Sequence, residues 1–185
     1  MAKVYIFLAN GYEEIEGLTV VDLLRRANID VQMVSVTGDI FVTGSHQITS
    51  KTDILFEEAD FTDGDMLVLP GGMPGTKNLK EHAGLDALLK DYKAGGKKLA
   101  AICAAPSILG SKGLLQDRCA TCYPGFEKEL SGARVMDEEV VVDGNVITSK
   151  GMGTAIDFSL AIIEGLAGKA KAGEIARAIQ FGHYK

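Results

Sequence analysis

The sequence predicts a doubly wound α/β domain, in which a mainly parallel sheet is covered by helices on both faces. Short runs rich in valine and isoleucine alternate with segments of helical periodicity, and glycines separate the two kinds of segment. This alternation is typical of a parallel sheet, whose strands are buried on both faces and are therefore apolar throughout. The length of 185 residues matches one domain of ordinary size, and we expect a single domain over 1–185.

The first part of the chain supplies the predicted parallel strands and two helices. The strands are short apolar runs, at 4–8, 31–36, 66–69 and 98–102. A helix is predicted from about residue 14 to residue 27, with an inward face that includes Leu18, Val21 and Leu24. A second helix has the i, i+3, i+4, i+7 spacing of one apolar face, at Leu85, Leu88, Leu89 and Tyr92.

The remaining segments extend the sheet and cover it. Residues 37–49 indicate turns and short strand pieces. Two apolar segments, 140–142 and 146–148, flank Asp143-Gly144-Asn145, a sequence typical of a tight hairpin at the edge of a sheet. Two C-terminal helices follow, and the first has one apolar face formed by Ile156, Leu160 and Ile163.

Composition and charge exclude several classes of protein. Hydrophobic residues make up 46% of the chain and charged residues 24%, so a buried core can form and general disorder is excluded. The net charge of −6 and the isoelectric point near 5.1 argue against a nucleic-acid partner, because phosphates require a basic face. No apolar run approaches the roughly 20 residues that span a bilayer, and the apolar start is too short for a secretory signal. Three cysteines do not make a disulfide framework, so we expect a soluble cytoplasmic protein without a membrane partner.

The residues that carry chemistry are expected at one edge of the sheet. In doubly wound sheets, ligands bind beyond the carboxyl ends of the strands, where the helices begin. Three loops follow predicted strands at this edge, at 9–16, 70–75 and 103–106. Their convergence predicts the functional site.

Cys103 lies between a predicted strand and a predicted helix, as the nucleophile of a strand–turn–helix elbow does. Its small neighbours permit a sharp turn, and Pro106 fits the first turn of the helix. The unpaired N–H groups at a helix N-terminus are expected to lower the pKa of this thiol. A small buried core residue is the alternative interpretation, since free cysteines are often buried.

The loop Pro70-Gly71-Gly72 can bring a backbone N–H close to a group bound to Cys103, because glycine has no side chain. The two loops together would then form an oxyanion hole. An ordinary strand-to-helix turn is the alternative, since glycine-rich turns are frequent. The loop matches neither a phosphate-binding P-loop nor a dinucleotide-binding fingerprint, because the spacing of both motifs is absent.

Glu13, Glu14 and Glu16 open the first predicted helix, where negative charge is favourable. A solvated helix cap accounts for one or two of these carboxylates. Glu16 has a second interpretation, as a protonated group with a raised pKa that donates a hydrogen bond to a thiolate at Cys103. Such a carboxyl group can also move protons on a bound carbonyl compound.

The other cysteines and the histidines favour neither a metal centre nor a redox pair. Cys119 and Cys122 have C-x-x-C spacing, but they end a short strand instead of opening a helix, which favours structural thiols. The alternative that stays open is Cys122 as a resolving partner for Cys103. The histidines are scattered along the chain, at His46, His82 and His183. We therefore expect no metal ion and no bound cofactor.

Four motifs in this order resemble the ThiJ/PfpI superfamily, and within it they are most similar to the Parkinson-disease-protein branch and its bacterial relatives. They cover essentially the whole chain, at 11–16, 69–72, 100–106 and 148–154. The resemblance implies a flavodoxin-like sandwich of the class I glutamine amidotransferase type, and usually a homodimer. It also implies that Cys103 is the nucleophile and Glu16 its carboxyl partner. Backbone donors are implied at Gly72 and Ala104.

Three positions depart from the family pattern. Ala104 follows the nucleophile where the intracellular protease branch has a histidine, so protease chemistry lacks its obvious base. Tyr123 precedes Pro124 where the Parkinson-protein branch has a histidine, which leaves a phenol as the auxiliary group. His46 corresponds to an arginine that the partner subunit in the family directs toward the site, and Arg26 matches a family arginine near that dimer contact.

The resemblance implies a cysteine-dependent, cofactor-independent glyoxalase or deglycase that acts on methylglyoxal-like dicarbonyls or their adducts. The alternative is an oxidative-stress sensor or chaperone that works through reversible oxidation of Cys103. An intracellular protease is the least favoured of the three functions. A flavin or nucleotide binder is disfavoured, because the three glutamates after the first strand would repel phosphate. The expected partners are a small dicarbonyl or glycated substrate and a second copy of the chain.

Overall fold

The computed structural model describes residues 2–184, which are built around one seven-stranded sheet. The strands are β1 Lys3–Leu8, β2 Asp30–Ser35, β3 Phe41–Thr43, β4 Thr49–Lys51, β5 Ile54–Leu55, β6 Met66–Leu69, β7 Lys98–Ile102, β8 Cys119–Ala120, β9 Arg134–Val135, β10 Val140–Asp143 and β11 Val146–Ser149. The α-helices are α1 Glu14–Arg26, α2 Gly75–Glu81, α3 Ala83–Ala94, α4 Pro106–Ser111, α5 Ala155–Ala167 and α6 Lys169–Ala178. Short 3₁₀ helices lie at Phe56–Glu58, Glu127–Glu129 and Met152–Thr154.

The strands of the main sheet follow the order β10-β11-β7-β6-β1-β2-β5. All neighbours in this sheet pair in parallel except β10 and β11, which form the predicted antiparallel hairpin. Two further strand pairs, antiparallel β3–β4 and parallel β8–β9, lie outside it. The prediction of a doubly wound, mainly parallel α/β fold is therefore confirmed.

Alternate side chains of each central strand enter two different core layers, because successive residues of a strand point to opposite faces. In β1, Val4 and Ile6 pack in the layer formed with α1, α5 and α6. Tyr5 and Phe7 pack in the opposite layer, formed with α2, α3 and α4. All four side chains are buried, which explains why the strand is an uninterrupted apolar run.

The order of the central strands decides where the functional loops meet. The strands β7, β6 and β1 are neighbours and run in the same direction, so their carboxyl ends lie at the same edge of the sheet. The loops that follow these three strands are the predicted site loops. Within residues 2–184, no helix combines the length and the apolar character needed to cross a bilayer.

Candidate active site

Backbone hydrogen bonds tie the three loops together. The N–H of Glu13, in the loop after β1, donates to the carbonyl of Gly71 at 2.9 Å. The N–H of Gly75, in the loop after β6, donates to the carbonyl of Gly11 at 3.1 Å. The convergence predicted from the sequence is therefore present, and it brings together Cys103, Glu16, Gly72 and Ala104.

Cys103 occupies a sharp elbow directly after β7. Its φ of 64° lies in the left-handed region, which costs a non-glycine residue on the order of 1–3 kcal/mol. Two backbone hydrogen bonds hold this conformation: the N–H of Cys103 donates to the carbonyl of Ser149 at 2.9 Å, and its own carbonyl accepts from the N–H of Tyr123 at 2.8 Å. The elbow leaves the thiol half-buried at the edge of the sheet.

Glu16 reaches the thiol of Cys103 from the first turn of α1. Its side chain is almost completely buried, and the residue is 1% exposed. Its Oε2 accepts a hydrogen bond from the N–H of Gly71 at 2.8 Å, and its carboxyl group is also hydrogen-bonded to the Cys103 thiol. A Cβ on Gly71 would lie 2.7 Å from both the Cys103 Cβ and Glu16 Oε2, so only glycine permits this close packing.

Burial raises the pKa of Glu16 to about 7, although the hydrogen bonds from Gly71 and Cys103 favour its charged form and lower the pKa. This agrees with the raised pKa predicted from the sequence. The predicted lowering of the Cys103 pKa was wrong. Burial and the negative charge of Glu16 raise it, and they outweigh the N–H groups of Ala104 and Gly72. The helix dipole contributes little, because α4 has six residues and begins only at Pro106.

The two raised pKa values mean that Cys103 and Glu16 titrate as a pair. Above the first ionisation, near pH 7, the pair retains one proton, because the buried site disfavours two negative charges in contact. The N–H of Gly71 stabilises the carboxylate. The N–H groups of Gly72 and Ala104 stabilise the thiolate. The retained proton therefore has two favourable positions, one of which leaves a thiolate beside a neutral carboxylic acid.

Gly72 and Ala104 both direct backbone N–H groups at the sulfur of Cys103. Gly72 has a φ of 87°, a left-handed conformation that glycine adopts without strain. A side chain there would also overlap the backbone of the loop after β1. Two N–H groups that converge from different loops can stabilise negative charge at this point, and their role as an oxyanion hole stays a prediction.

The two predicted auxiliary residues, Tyr123 and His46, have different surroundings. Tyr123 is joined to the Cys103 elbow through its backbone, and its half-exposed ring contacts Gly151. His46 contacts glutamates instead of Cys103: its Nδ1 lies 3.1 Å from Glu14 Oε2 and 3.7 Å from Glu13 Oε1. Arg26, on the exposed face of α1, forms an ion pair with Asp22.

The sheet separates Cys122 from Cys103. Cys122 is buried in the core layer of α2, α3 and α4, whereas Cys103 packs against the opposite layer. The two side chains pack against different core layers, which disfavours Cys122 as a resolving partner. Cys119 accepts hydrogen bonds at its sulfur from Nε and Nη2 of Arg134, at 3.2 and 2.7 Å.

Sequence reasoning missed the part that Gly71 plays in the site. Within the loop at 70–72 it named only Gly72 as a backbone donor, yet Gly71 holds the carboxylate of Glu16 and permits its contact with Cys103. The signal that could have found it is the glycine pair itself, because one flexible residue suffices for a turn and two suggest a close approach.

One group within residues 2–184 has the composition of a metal site. Glu13, Glu14 and His46 each offer a ligand atom, and these atoms lie within 4.8 Å of one another. This group stands apart from the sulfur of Cys103, and the sequence did not predict it.

Comparisons with known proteins agree with the fold. The model of the DJ-1/PfpI family matches residues 2–165. Protein DJ-1 homolog B of Arabidopsis thaliana is 39% identical over 178 residues, which cover 94% of this chain but 40% of that protein, so the chain spans less than half of that relative. A protein of Pyrococcus abyssi named as a deglycase is 36% identical over 151 residues, covering 80% of this chain and 89% of that protein. The structure of oxidized Toxoplasma gondii DJ-1 has a TM-score of 0.95 and 36% identity, covering 99% of this chain and 100% of the other.

Proposed function

The chain belongs to the DJ-1/PfpI family, and from this premise we propose that it is a cysteine-dependent enzyme of the glyoxalase or deglycase type. Its substrates are methylglyoxal-like dicarbonyls or their adducts, and it requires no cofactor. The observation that carries this proposal is the contact between Cys103 and the buried Glu16, with two backbone N–H groups directed at the sulfur. A Pyrococcus relative named as a deglycase supports the same class of activity.

The first step joins the substrate to Cys103. The sulfur forms a bond to the aldehyde carbon of methylglyoxal, and the carbonyl oxygen takes up the proton from Glu16 to give a hemithioacetal. The N–H groups of Gly72 and Ala104 stabilise the negative charge that develops on this oxygen. The attack uses the form of the pair in which the retained proton lies on Glu16 and the sulfur is a thiolate, so the step transfers this proton without leaving two charges in contact.

The second step moves a proton between adjacent carbons. The Glu16 carboxylate removes the proton from the former aldehyde carbon, and the resulting enediol is protonated on the neighbouring carbon to give a lactoyl thioester of Cys103. Water then cleaves the carbon–sulfur bond, which releases lactate and regenerates the thiol. The sum is methylglyoxal plus water to lactate and a proton, so no oxidant or reductant is consumed.

The test is lactate formation from methylglyoxal without glutathione. Wild type, Cys103→Ala and Glu16→Gln are compared, with Cys119→Ala as the matched control because it removes a half-buried thiol elsewhere. We expect turnover by wild type and the control, and loss in the other two variants. Turnover that survives Cys103→Ala would overturn the assignment of the nucleophile, and an inert, folded wild type would overturn the enzyme proposal.

A redox sensor or chaperone is the second candidate, and the same geometry favours it. A sulfenic or sulfinic acid on Cys103 would accept hydrogen bonds from Gly72 and Ala104 and from a protonated Glu16. A similar structure, that of Toxoplasma gondii DJ-1, is described as oxidized. Peroxide treatment followed by mass spectrometry separates the candidates: a sensor accumulates oxidised Cys103 without turnover, whereas an enzyme loses its lactate formation as Cys103 is oxidised.

Protease chemistry is disfavoured by the surroundings of Cys103. The histidines of the chain lie elsewhere: His46 contacts Glu14, His82 caps α3, and His183 packs on Phe181. Within residues 2–184, no imidazole is therefore available as a general base for the thiol.

We also propose that the chain forms a homodimer through α1. Ile15 and Ile48 are 49% and 54% exposed, and they line an open groove that continues to Ile156 and Ile179. A second copy would remove this apolar surface from water. Sedimentation should show a dimer that Ile15→Glu dissociates and that Val142→Glu, at an exposed apolar residue of the sheet edge, leaves intact. A monomeric wild type would overturn this assembly.

A further inference from the structure

Glu13, Glu14 and His46 bring three lone-pair atoms to one point. The Nδ1 of His46 lies 3.1 Å from Glu14 Oε2 and 3.7 Å from Glu13 Oε1, and all three atoms lie within 4.8 Å of one another. The glutamates open α1, and His46 belongs to the loop between β3 and β4. Two carboxylate oxygens that face a ring nitrogen need a shared cation, which is either a proton on Nδ1 or a metal ion.

Backbone hydrogen bonds hold the carboxylate of Glu14 in place. Its side chain is only 6% exposed, and its Oε1 accepts hydrogen bonds from the backbone N–H groups of His46 at 2.8 Å and Ile48 at 3.4 Å. A Cβ on Gly44 would overlap the carboxyl group, so the loop closes tightly around it. Oε2 remains directed at His46, and such hydrogen bonds from the surroundings are what orient a metal-binding carboxylate.

A hydroxyl group completes the surroundings of both carboxylates. Ser45 Oγ lies 3.3 Å from Glu13 Oε2 and 3.3 Å from Glu14 Oε2. Hydrogen bonds from backbone N–H groups and from His46 lower the pKa of Glu14 in spite of its burial, so it stays ionised at neutral pH. The same glutamates raise the pKa of His46, so a metal ion that binds here must displace a proton from the imidazole.

The distances from His46 Nδ1 to the two carboxylate oxygens are close to those between ligands of a small metal ion. Zinc binds imidazole and carboxylate ligands at about 2.0–2.2 Å, which places tetrahedral ligand atoms about 3.3–3.6 Å apart. The distances from His46 Nδ1, 3.1 and 3.7 Å, fall on either side of that range. The His46 side chain is 67% exposed in the single chain, and Glu14 also lines the groove assigned to the dimer contact, so the three ligands lie at the edge of that contact.

We propose that Glu13, Glu14 and His46 form a binding site for a divalent transition-metal ion with the preferences of zinc, completed by water. Two carboxylates and one imidazole are ligands that such ions accept, and an open fourth position is typical of a three-ligand site. The ion would join α1 to the β3–β4 loop. The proposal is independent of the activity assigned to Cys103.

Isothermal titration of the whole protein with zinc chloride tests the site. We expect one site per chain in wild type, with the affinity reduced at least tenfold in His46→Ala and in Glu13→Gln. His183→Ala is the matched control, because it removes another exposed imidazole, and it should bind as wild type does. Equal affinity in wild type and His46→Ala would assign the zinc to the thiols or to other groups and overturn the proposal.

A second measurement locates the ion directly. Anomalous scattering at the zinc edge from a crystal grown with zinc should show a peak between Glu13, Glu14 and His46. A crystal without that peak, or a wild type that binds no zinc in the titration, would show that a protonated His46 ion-paired with the glutamates is the whole function of the group.

Discussion

Replacing Gly71 by alanine is expected to separate the reactive pair while leaving both reactive residues in the chain. The new Cβ would lie 2.7 Å from the Cys103 Cβ and 2.7 Å from Glu16 Oε2. Carbon atoms in contact are normally about 3.5–4.0 Å apart, so the loop, the thiol or the carboxyl group must shift by about 1 Å. Gly71 does not have a left-handed φ, so the effect comes from the contact and not from backbone strain.

The size of the effect follows from that displacement. A misplacement of about 1 Å in an active site costs on the order of 100-fold in rate. We therefore expect kcat/KM for lactate formation from methylglyoxal to fall about 100-fold in Gly71→Ala. Overpacking a buried position also costs about 1–3 kcal/mol of stability, which urea unfolding measures separately.

The assay compares Gly71→Ala with Gly182→Ala, a glycine whose added Cβ would meet no atom within 4 Å. Both proteins must be folded by circular dichroism before their rates are compared. We expect wild-type rates in the control. A folded Gly71→Ala protein with wild-type kcat/KM would refute the reasoning that the close packing of Cys103 and Glu16 sets the rate.

Three further outcomes are expected. The rate of Cys103 alkylation by iodoacetamide should rise as pH increases through about 7, because the first proton then leaves the pair and a thiolate becomes populated. Glu16→Gln should remove this rise near pH 7. A pH profile of Glu16→Gln that equals that of wild type would contradict the coupled titration. Tyr123→His should raise kcat by tenfold or more, since a general base at this position would accelerate the reaction about 10²-fold or more. An unchanged kcat would show that this position takes no part in turnover. Phe158→Ala should lower the free energy of unfolding by about 3–5 kcal/mol in urea, because the ring is fully buried, and a loss below 1 kcal/mol would contradict its place in the core.

Most of the fold followed from local patterns in the sequence. The apolar runs that predict strands coincide with β1, β2, β6 and β7, and the hairpin predicted around Asp143-Gly144-Asn145 joins β10 to β11. These predictions succeed because a strand buried on both faces must be apolar throughout. The helix α2 and the strand β9 were not predicted, since short elements carry too few residues to show a period.

The sequence alone indicated the order of the elements and an elbow at Cys103, because small residues permit a sharp turn between an apolar strand and a helix with proline in its first turn. It also indicated that the loops after β1, β6 and β7 meet, since parallel strands end at the same edge. Only the tertiary structure decided the direction of the Cys103 pKa shift and the position of His46 against Glu14. Electrostatic effects depend on distance and burial, and both arise from residues that are far apart in the chain.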